Sequence, residues 1–182
     1  STTARFFAEA GCRLWDADAA VHRLYARNGE AVAPLREAFP EAIDDGEVSR
    51  AALRKIISEN SEALKVIEGI VHPLVAQDRA AFVAEHPNDI LVFDIPLLFE
   101  TGAERAMDAV VCVTVPEAVQ QERVMSRGTM TMAEFRQILS KQMPNTEKCA
   151  RADFVIETDT IEHARQQVQD IVAIIRSRIA DA

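Results

Sequence analysis

Residues 90–100 read Ile-Leu-Val-Phe-Asp-Ile-Pro-Leu-Leu-Phe-Glu: an apolar run ends at Asp94, and a loop containing Pro96 and Glu100 follows at once. An apolar run of this length next to a proline predicts a buried parallel strand. Open α/β sheets bind their ligands just beyond the carboxyl ends of such strands. Asp94 is therefore a candidate functional residue, and the alternative is that its carboxylate only caps the next turn.

Three further apolar runs have the length of strands, at residues 12–15, 109–115 and 154–156. Helical patterns separate the four runs from one another. Strands that alternate with helices along a chain form parallel sheets covered by those helices. The predicted fold class is therefore α/β, a parallel sheet flanked by helices.

Helical patterns fill most of the first half outside the strands. The opening helix covers residues 2–10, and Gly11 follows its end, as glycine often does. Residues 30–58 are predicted to form a small helical excursion with a break at residues 44–46. Residues 61–86 form a return helix that is interrupted near Pro73, because proline disfavours a continuous helix.

The second half continues the alternation after residue 115. One helix starts at Pro116 and ends at Arg127-Gly128, and a second starts at Thr131 and ends near residue 143. Residues 144–148 are predicted to be a break. The last helix has an apolar stripe that is expected to pack on the sheet, formed by Ile161, Ala164, Val168, Ile171, Val172, Ile175 and Ile179.

The composition fits one folded unit and argues against several functional classes. The 182 residues carry a formal net charge of -9, which repels a phosphate backbone, so no nucleic acid partner is expected. A small polyanion remains compatible, because a few local cations and N–H groups can hold it. No apolar stretch approaches the roughly 18 residues of a membrane span, and no signal-peptide pattern is visible. A cytoplasmic protein without a membrane partner is expected, and its oligomeric state is left open.

The cysteines Cys12, Cys112 and Cys149 lie far apart in the sequence and do not have a metal-ligand spacing. Neither a disulfide framework nor a zinc site is therefore predicted. Cys12 and Cys112 fall in apolar runs and are expected to be buried.

A second predicted strand end also carries acids, Asp16 and Asp18. Two carboxylates two positions apart point to similar sides if the chain is still extended there. They can orient a hydroxyl group, hold Mg²⁺ or cap the helix that follows. Because the ends of neighbouring parallel strands converge, Asp16, Asp18 and Asp94 are expected to meet in one crevice.

Three other positions have both an ordinary and a functional interpretation. His72, beside Pro73, is either a packed residue at a helix end or a binding residue. Most cations after residue 120 are expected to form solvated helix faces, and Arg127 is the one best placed to reach a ligand. Ser1 and Thr2 open a helix where the last residue of G-x-x-x-x-G-K-[ST] would stand, but the glycines and the lysine of that motif do not precede them.

The order of these elements resembles the dephospho-coenzyme A kinases, a family of P-loop kinases. The resemblance covers essentially the whole chain. Its most specific elements are the Asp-Ala-Asp, His-Pro-Leu and Pro-Leu-Leu-Phe-Glu sequences at residues 16–18, 72–74 and 96–100. Ser1-Thr2 with Gly11, and residues 152–156, match as well.

The resemblance implies a core of five parallel strands in the order 2-3-1-4-5. In a single kinase domain, residues 1–28, 87–127 and 152–182 would form the core, residues 29–86 a helical acceptor-side region, and residues 128–151 a lid. It also implies transfer of the γ-phosphoryl group of ATP to the 3′-hydroxyl of dephospho-coenzyme A, with Mg²⁺. Catalysis of this kind depends on alignment and charge neutralisation more than on covalent help.

The resemblance further implies a role for each matching residue. Asp18 would take or orient the hydroxyl proton, with Asp16 as its supporting carboxylate, and Ser1 and Asp94 would hold the metal ion. The nucleotide-binding residues would be Ser1, Thr2, Arg127 and Lys148. The acceptor site would contain His72, Pro96, Leu97 and Glu100.

Two features depart from the family pattern. Asn145 and Lys148 stand where members often have arginine, and lysine does not reproduce the bidentate geometry of a guanidinium group. The first strand and the glycine loop are absent, and because that strand lies in the middle of the sheet, its neighbours would be left with unpaired backbone groups. An N-terminal segment of roughly 15 residues, one strand and one phosphate loop, is therefore expected in the natural protein.

Two alternative functions stay open. The chain can be a kinase for another nucleotide-like acceptor, because the kinase core is shared and only the acceptor pocket differs. It can also be a non-catalytic binding protein that has lost its phosphate loop. The three acids disfavour this second alternative, because clustered carboxylates repel one another without a cation.

Overall fold

The structure is a computed structural model that describes residues 1–115, 119, 126, 131 and 142–181. Arg127 lies outside the described residues, as do most of the two helices predicted between residues 116 and 143. The described helices and strands follow one another as α1 (Thr2–Glu9), β1 (Arg13–Asp16), α2 (Ala17–Tyr25), α3 (Val32–Ala38), β2 (Ile43–Asp44), β3 (Glu47–Val48), α4 (Arg50–Glu59), α5 (Glu62–Glu85), β4 (Leu91–Asp94), β5 (Val111–Thr114), α6 (Asn145–Arg151), β6 (Phe154–Glu157) and α7 (Ile161–Ala180).

The predicted α/β fold is confirmed, and the four predicted strands are β1, β4, β5 and β6. β1 pairs with β4 and β5 pairs with β6, both in parallel. In the described part of the chain these pairs are separate two-stranded sheets rather than one five-stranded sheet. Counting the strand that the resemblance places first, β1 and β4 would be the second and third strands of the implied order, and β5 and β6 the fourth and fifth. Their pairing is compatible with that order, which stays a prediction.

The described chain forms two compact units, Arg13–Ile95 on the one hand and Ser1–Cys12 with Pro96–Ala182 on the other. We call them the β1–β4 unit and the β5–β6 unit. The predicted core, acceptor-side region and lid have other bounds than these two units, and that division of the chain stays a prediction.

The β1–β4 unit has its apolar core where α2, α3 and α4 pack on α5. The core residues are Leu24, Ala31, Val32, Leu35, Ala42, Val48, Leu53, Ile67 and Val71. The interruption predicted near Pro73 is wrong, because α5 is continuous from Glu62 to Glu85. The helix is held on both sides of the proline, by buried Ile67 and Val71 before it and by a buried tryptophan contact after it, and these contacts outweigh the lost hydrogen bond.

A small hairpin lies in the region that was predicted to be helical around a break. β2 and β3 pair antiparallel and are connected by a turn of Asp45 and Gly46, which have φ angles of 44° and 80°. Two central residues with positive φ are what a two-residue hairpin turn needs, and Asp-Gly is a common sequence for it. The Asp-Gly pair was therefore a hairpin signal, which the prediction of a mere break missed.

The β5–β6 unit is built around α7, which packs on α1 and β6. The predicted apolar stripe is confirmed in the middle of α7, where Ala164, Val168, Ile171 and Val172 are buried. It is wrong at the ends, because Ile161 and Ile179 are 62% and 61% exposed. The end turns of a long helix extend beyond the surface that covers its centre.

The break predicted at residues 144–148 is wrong, because α6 begins there. The carbonyl of Pro144 accepts hydrogen bonds from the N–H groups of Glu147 and Lys148, both at 3.0 Å. A proline is tolerated at the start of a helix, where its missing N–H leaves no bond unmade. In the part of the chain that the structure describes, no helix is both long and apolar enough to cross a membrane.

Candidate functional site

The carboxyl ends of β1 and β4 bring two predicted acids together. Asp16 and Asp94 are partners in the parallel register, each at the last position of its strand. Neighbouring strands lie about 4.8 Å apart, so the two carboxylates start from adjacent backbone positions. Both residues are half-buried. The strand-end acids predicted from separate segments thus form a pair.

The helix that follows β1 places the third acid. Asp16 is the N-cap of α2, and its Oδ1 accepts a hydrogen bond from the N–H of Ala19 at 2.8 Å. The capping interpretation is therefore right for Asp16, and the capping hydrogen bond is made by the oxygen Oδ1 of its carboxylate. Asp18 lies exposed in the first turn of α2, where a negative charge is favourable. The chain is helical at Asp18, so the extended geometry assumed for the two acids is wrong.

A partly buried hydrogen-bond network, which was not predicted from the sequence, joins β1 and α2 to α5. Asp78 of α5 accepts a hydrogen bond from Trp15 Nε1 at 2.7 Å and a second from Arg23 Nη2 at 2.6 Å. Partial burial acts to raise the pKa of Asp78, but the hydrogen bonds from Trp15 and Arg23 prevail and lower it. Because Trp15 directly precedes Asp16, this network fixes the end of β1. No local signal predicts it, since Trp15 and Asp78 are 63 positions apart.

His72 lies exposed in the middle of α5. The interpretation as a packed residue at a helix end is therefore wrong. Its neighbour Val71 is buried, and His72 can still be exposed because successive residues of a helix point about 100° apart. An exposed imidazole is available to a ligand, and the binding role of His72 stays a prediction.

In the β5–β6 unit, the loop after β4 contacts α6 through two predicted site residues. Lys148 Nζ lies 2.8 Å from Glu100 Oε1, and the N–H of Met143 donates to the same oxygen at 2.9 Å. Partial burial acts to raise the pKa of Glu100, and the hydrogen bonds from Lys148 and Met143 lower it by more. The structure thus pairs Glu100, a residue predicted to bind the acceptor substrate, with Lys148, a residue predicted to bind the nucleotide.

The same loop has an unusual backbone at Leu97, whose φ angle is 58°. This left-handed conformation costs of order 1 kcal/mol for a residue other than glycine, and such strain is concentrated at functional sites. The carbonyl of Leu97 accepts from the N–H and the hydroxyl of Thr101 at 3.1 and 2.9 Å. Leu97, in this strained turn, and the preceding Pro96 are both exposed to solvent.

α6 is held in place by further contacts that the sequence did not predict. Arg151 Nη2 lies 3.0 Å from Glu104 Oε1, and its guanidinium group stands over the ring of Phe99 at 4.8 Å from the centroid. Asn145 Nδ2 donates to Thr114 Oγ1 of β5 at 2.6 Å. These contacts orient the helix that carries Lys148.

The start of α1 has the geometry of a capped helix. Ser1 is its N-cap, and the hydroxyl oxygen accepts from the N–H of Ala4 at 3.3 Å, while Thr2 is the first helical residue. Ser1 and Thr2 belong to the β5–β6 unit, and Asp94 belongs to the β1–β4 unit. The shared metal site predicted for Ser1 and Asp94 stays a prediction.

The donor atoms at the strand ends suit a hard cation. Mg²⁺ prefers oxygen ligands and is usually bound by one or two carboxylates together with phosphate oxygens. Asp94 is one such carboxylate, and Asp16, which caps α2, lies beside it. Among the described residues, no group of three or more His, Cys, Asp or Glu is placed to hold a metal ion.

Comparisons with known proteins show the family of this chain. The family model for dephospho-CoA kinase matches residues 1–163. A dephospho-CoA kinase from Ruegeria pomeroyi is 66% identical over 97% of this chain and 90% of its own length. One from Cereibacter sphaeroides is 52% identical over 100% of this chain and 92% of its own length.

Solved structures show the same fold. The Thermus thermophilus protein TT1252 superposes with a TM-score of 0.82 at 28% identity, over 95% of this chain and 89% of that one. A dephospho-CoA kinase from Campylobacter jejuni superposes with a TM-score of 0.69 at 23% identity, over 96% and 90%. With a family match over most of its length and relatives of this identity, the chain belongs to the dephospho-CoA kinase family.

Proposed function

We propose that this chain transfers the γ-phosphoryl group of ATP to the 3′-hydroxyl of dephospho-CoA, at the carboxyl ends of β1 and β4. The family supports the reaction. The observation that supports the place is the side-by-side position of Asp16 and Asp94, with Asp18 in the next helical turn. Parallel strands end at this edge, where α/β proteins bind ligands.

Asp18 is the general base of the proposal. The 3′-oxygen attacks the γ-phosphorus as its proton passes to the Asp18 carboxylate, and the bond from the γ-phosphorus to the bridging oxygen breaks to release ADP. Asp18 is exposed and can therefore meet the acceptor. Asp16 supports it by capping α2, because the bond to Ala19 fixes the turn that carries Asp18.

Asp94 and Ser1 would hold Mg²⁺ in this proposal, and a bound magnesium ion supplies neutralisation of the charge on the β- and γ-phosphates. Thr2 at the start of α1 adds a helix N-terminus, which favours phosphate. Lys148 and Arg127 would be the cations that contact the nucleotide. Lys148 is already oriented by its ion pair with Glu100.

The acceptor side would use His72, Pro96, Leu97 and Glu100. The exposure of His72 and of Leu97, which is 45% exposed, supports contact with a ligand. Because Glu100 binds Lys148, we propose that it couples the acceptor loop to the nucleotide cation. We also propose a cytoplasmic location and no nucleic acid partner, for the reasons of composition and charge given above. The division into core, acceptor-side region and lid is proposed from the family resemblance.

The test is an assay that couples ADP release to the added acceptor. Dephospho-CoA should support turnover, whereas adenosine and nucleoside monophosphates should not. Asp18→Asn should lower kcat by about 10²–10⁴-fold, the usual range for loss of a general base, with little change in ATP binding. The matched control is Asp44→Asn, an exposed acid of the hairpin in the same unit, which should keep normal turnover.

Three results would count against the proposal. Near-normal turnover of Asp18→Asn would remove the assigned base. Faster turnover with another nucleotide-like acceptor would favour the first alternative function. Binding of ATP and dephospho-CoA without ADP release, with Mg²⁺ supplied, would favour the non-catalytic alternative.

A further inference from the structure

Two thiols that are distant in the sequence lie side by side in the β5–β6 unit. Cys112 Sγ and Cys149 Sγ are 3.4 Å apart although the residues are 37 positions apart. Cys112 lies on β5 and Cys149 on α6, and both are free. A disulfide bond is about 2.05 Å long, so the two sulfurs would have to approach each other by about 1.4 Å to form one.

The two thiols differ in their access to solvent. Cys112 is 7% exposed, whereas Cys149 is half-buried. Burial raises the pKa of the Cys112 thiol, and the neighbouring Cys149 raises it further, so Cys112 remains protonated at neutral pH. A reagent from solvent therefore meets Cys149 first, and Cys112 is placed to react with whatever forms there.

We propose that Cys112 and Cys149 form a redox-active dithiol that closes to a reversible disulfide by exchange with a low-molecular-weight disulfide. The Cys149 sulfur, as a thiolate, attacks one sulfur of the reagent, which releases one thiol and leaves a mixed disulfide on Cys149. The Cys112 sulfur then attacks Cys149 Sγ as its proton passes to the departing sulfur, which leaves as the second thiol. The two protein thiols are oxidised by two electrons, and the reagent is reduced to two thiols.

The bond would tie α6 to β5 next to a proposed site residue. Lys148 directly precedes Cys149, and its ammonium group pairs with Glu100 at 2.8 Å. Hydrogen bonds of Asn145 already join the start of α6 to Thr114 and Cys112 of β5, so a disulfide adds a covalent connection in the following turn. An effect on ATP use rests on the proposed function, in which Lys148 contacts the nucleotide.

The experiment maps the thiols of the full chain after incubation with oxidised glutathione. Remaining thiols are alkylated, and the protein is digested without reduction and examined by mass spectrometry. We expect a linked pair of peptides containing Cys112 and Cys149, lighter by two hydrogens than the sum of its parts, and alkylated Cys12. Dithiothreitol should reverse the link.

Matched variants separate this bond from general oxidation. Cys149→Ser should abolish the link, and Cys12→Ser should form it as the unaltered chain does. Hydrogen exchange of the α6 amides should slow when the link forms, because the helix loses freedom to open. A stable glutathione adduct on Cys149 without the link, or three thiols that all stay open to alkylation, overturns the proposal.

The kinase assay is run on the same samples. We expect the linked protein to have a KM for ATP several-fold above that of the reduced protein, and Cys149→Ser to show no such change. Linked protein with an unchanged KM overturns the connection to Lys148. A reduced protein without kinase activity counts against the proposed function, and the peptide map then still decides whether the disulfide forms.

Discussion

Replacing Asp78 with alanine should destabilise the β1–β4 unit by about 1–4 kcal/mol, because Asp78 is the acceptor for an almost fully buried tryptophan. Trp15 is 4% exposed, and its indole N–H donates to Asp78 Oδ1 at 2.7 Å. The substitution leaves this donor without that acceptor. It also removes the partner of Arg23, which donates to both carboxylate oxygens.

The magnitude is the sum of two unequal effects. A buried donor left unsatisfied costs about 1–3 kcal/mol. The Arg23 side chain is 56% exposed and returns to water, so its ion pair contributes at most about 1 kcal/mol. Asp78→Asn keeps an oxygen that can accept from Trp15 and loses only the charge, so this variant should cost about 1 kcal/mol.

The assay is urea unfolding of the full chain followed by fluorescence. Trp15 is the one tryptophan of the sequence, so its emission reports on the unit that is perturbed. The control is Asp89→Asn, which breaks the exposed ion pair with Arg13 and should cost less than about 0.5 kcal/mol. If Asp78→Ala costs no more than this control, the reasoning about the buried donor is refuted.

The pH dependence of this difference has a defined sign. The pKa of Asp78 is lowered in the folded protein, so its charge stabilises the fold above the unfolded pKa of about 3.9. That contribution is lost as the pH falls through the folded pKa. The stability difference between the unaltered chain and Asp78→Asn should therefore be full at neutral pH and shrink in acid. A difference that grows as the pH falls would contradict the shift.

Two other substitutions test packing and the proposed nucleotide contact. Gly29→Ala should destabilise the protein by more than about 2 kcal/mol, because the added Cβ would lie 2.2 Å from the carbonyl oxygen of Leu24. Gly69→Ala on α5 should stabilise the protein by up to about 1 kcal/mol, because nothing lies within 4 Å of the added Cβ. Thermal unfolding measures both effects, and equal effects would refute the predicted clash at Gly29. Glu100→Gln removes the charged partner of Lys148 and should raise the KM for ATP several-fold in steady-state kinetics, and an unchanged KM would show that the ion pair does not orient the lysine.

Local composition was sufficient for the four parallel strands and for the family. Apolar runs beside turn residues predicted β1, β4, β5 and β6, because a buried strand must be apolar along its own length. The acids at positions 16 and 94 were expected at strand ends, where the structure places them side by side. Motifs such as Asp-Ala-Asp predicted the family for the same reason, since each is complete within a few residues.

The predictions at two prolines were wrong, for different reasons. Pro73 was expected to interrupt a helix, but packing on both sides keeps α5 continuous. Residues 144–148 contain a proline and were predicted as a break, yet Pro144 stands at the start of α6 rather than inside it. Propensity describes what a segment prefers alone, and burial of neighbouring residues can exceed that preference.

The amino-acid order alone determined the α/β class, the four parallel strands, the acids at the ends of β1 and β4, and the kinase family. Each of these depends on residues that are close together in the chain. Folding in three dimensions alone determined the bond between Trp15 and Asp78, the ion pair of Lys148 with Glu100, and the 3.4 Å approach of Cys112 to Cys149. These contacts join residues that are distant in the chain. Their existence depends on how whole helices and strands pack, and no short pattern of residues contains that information.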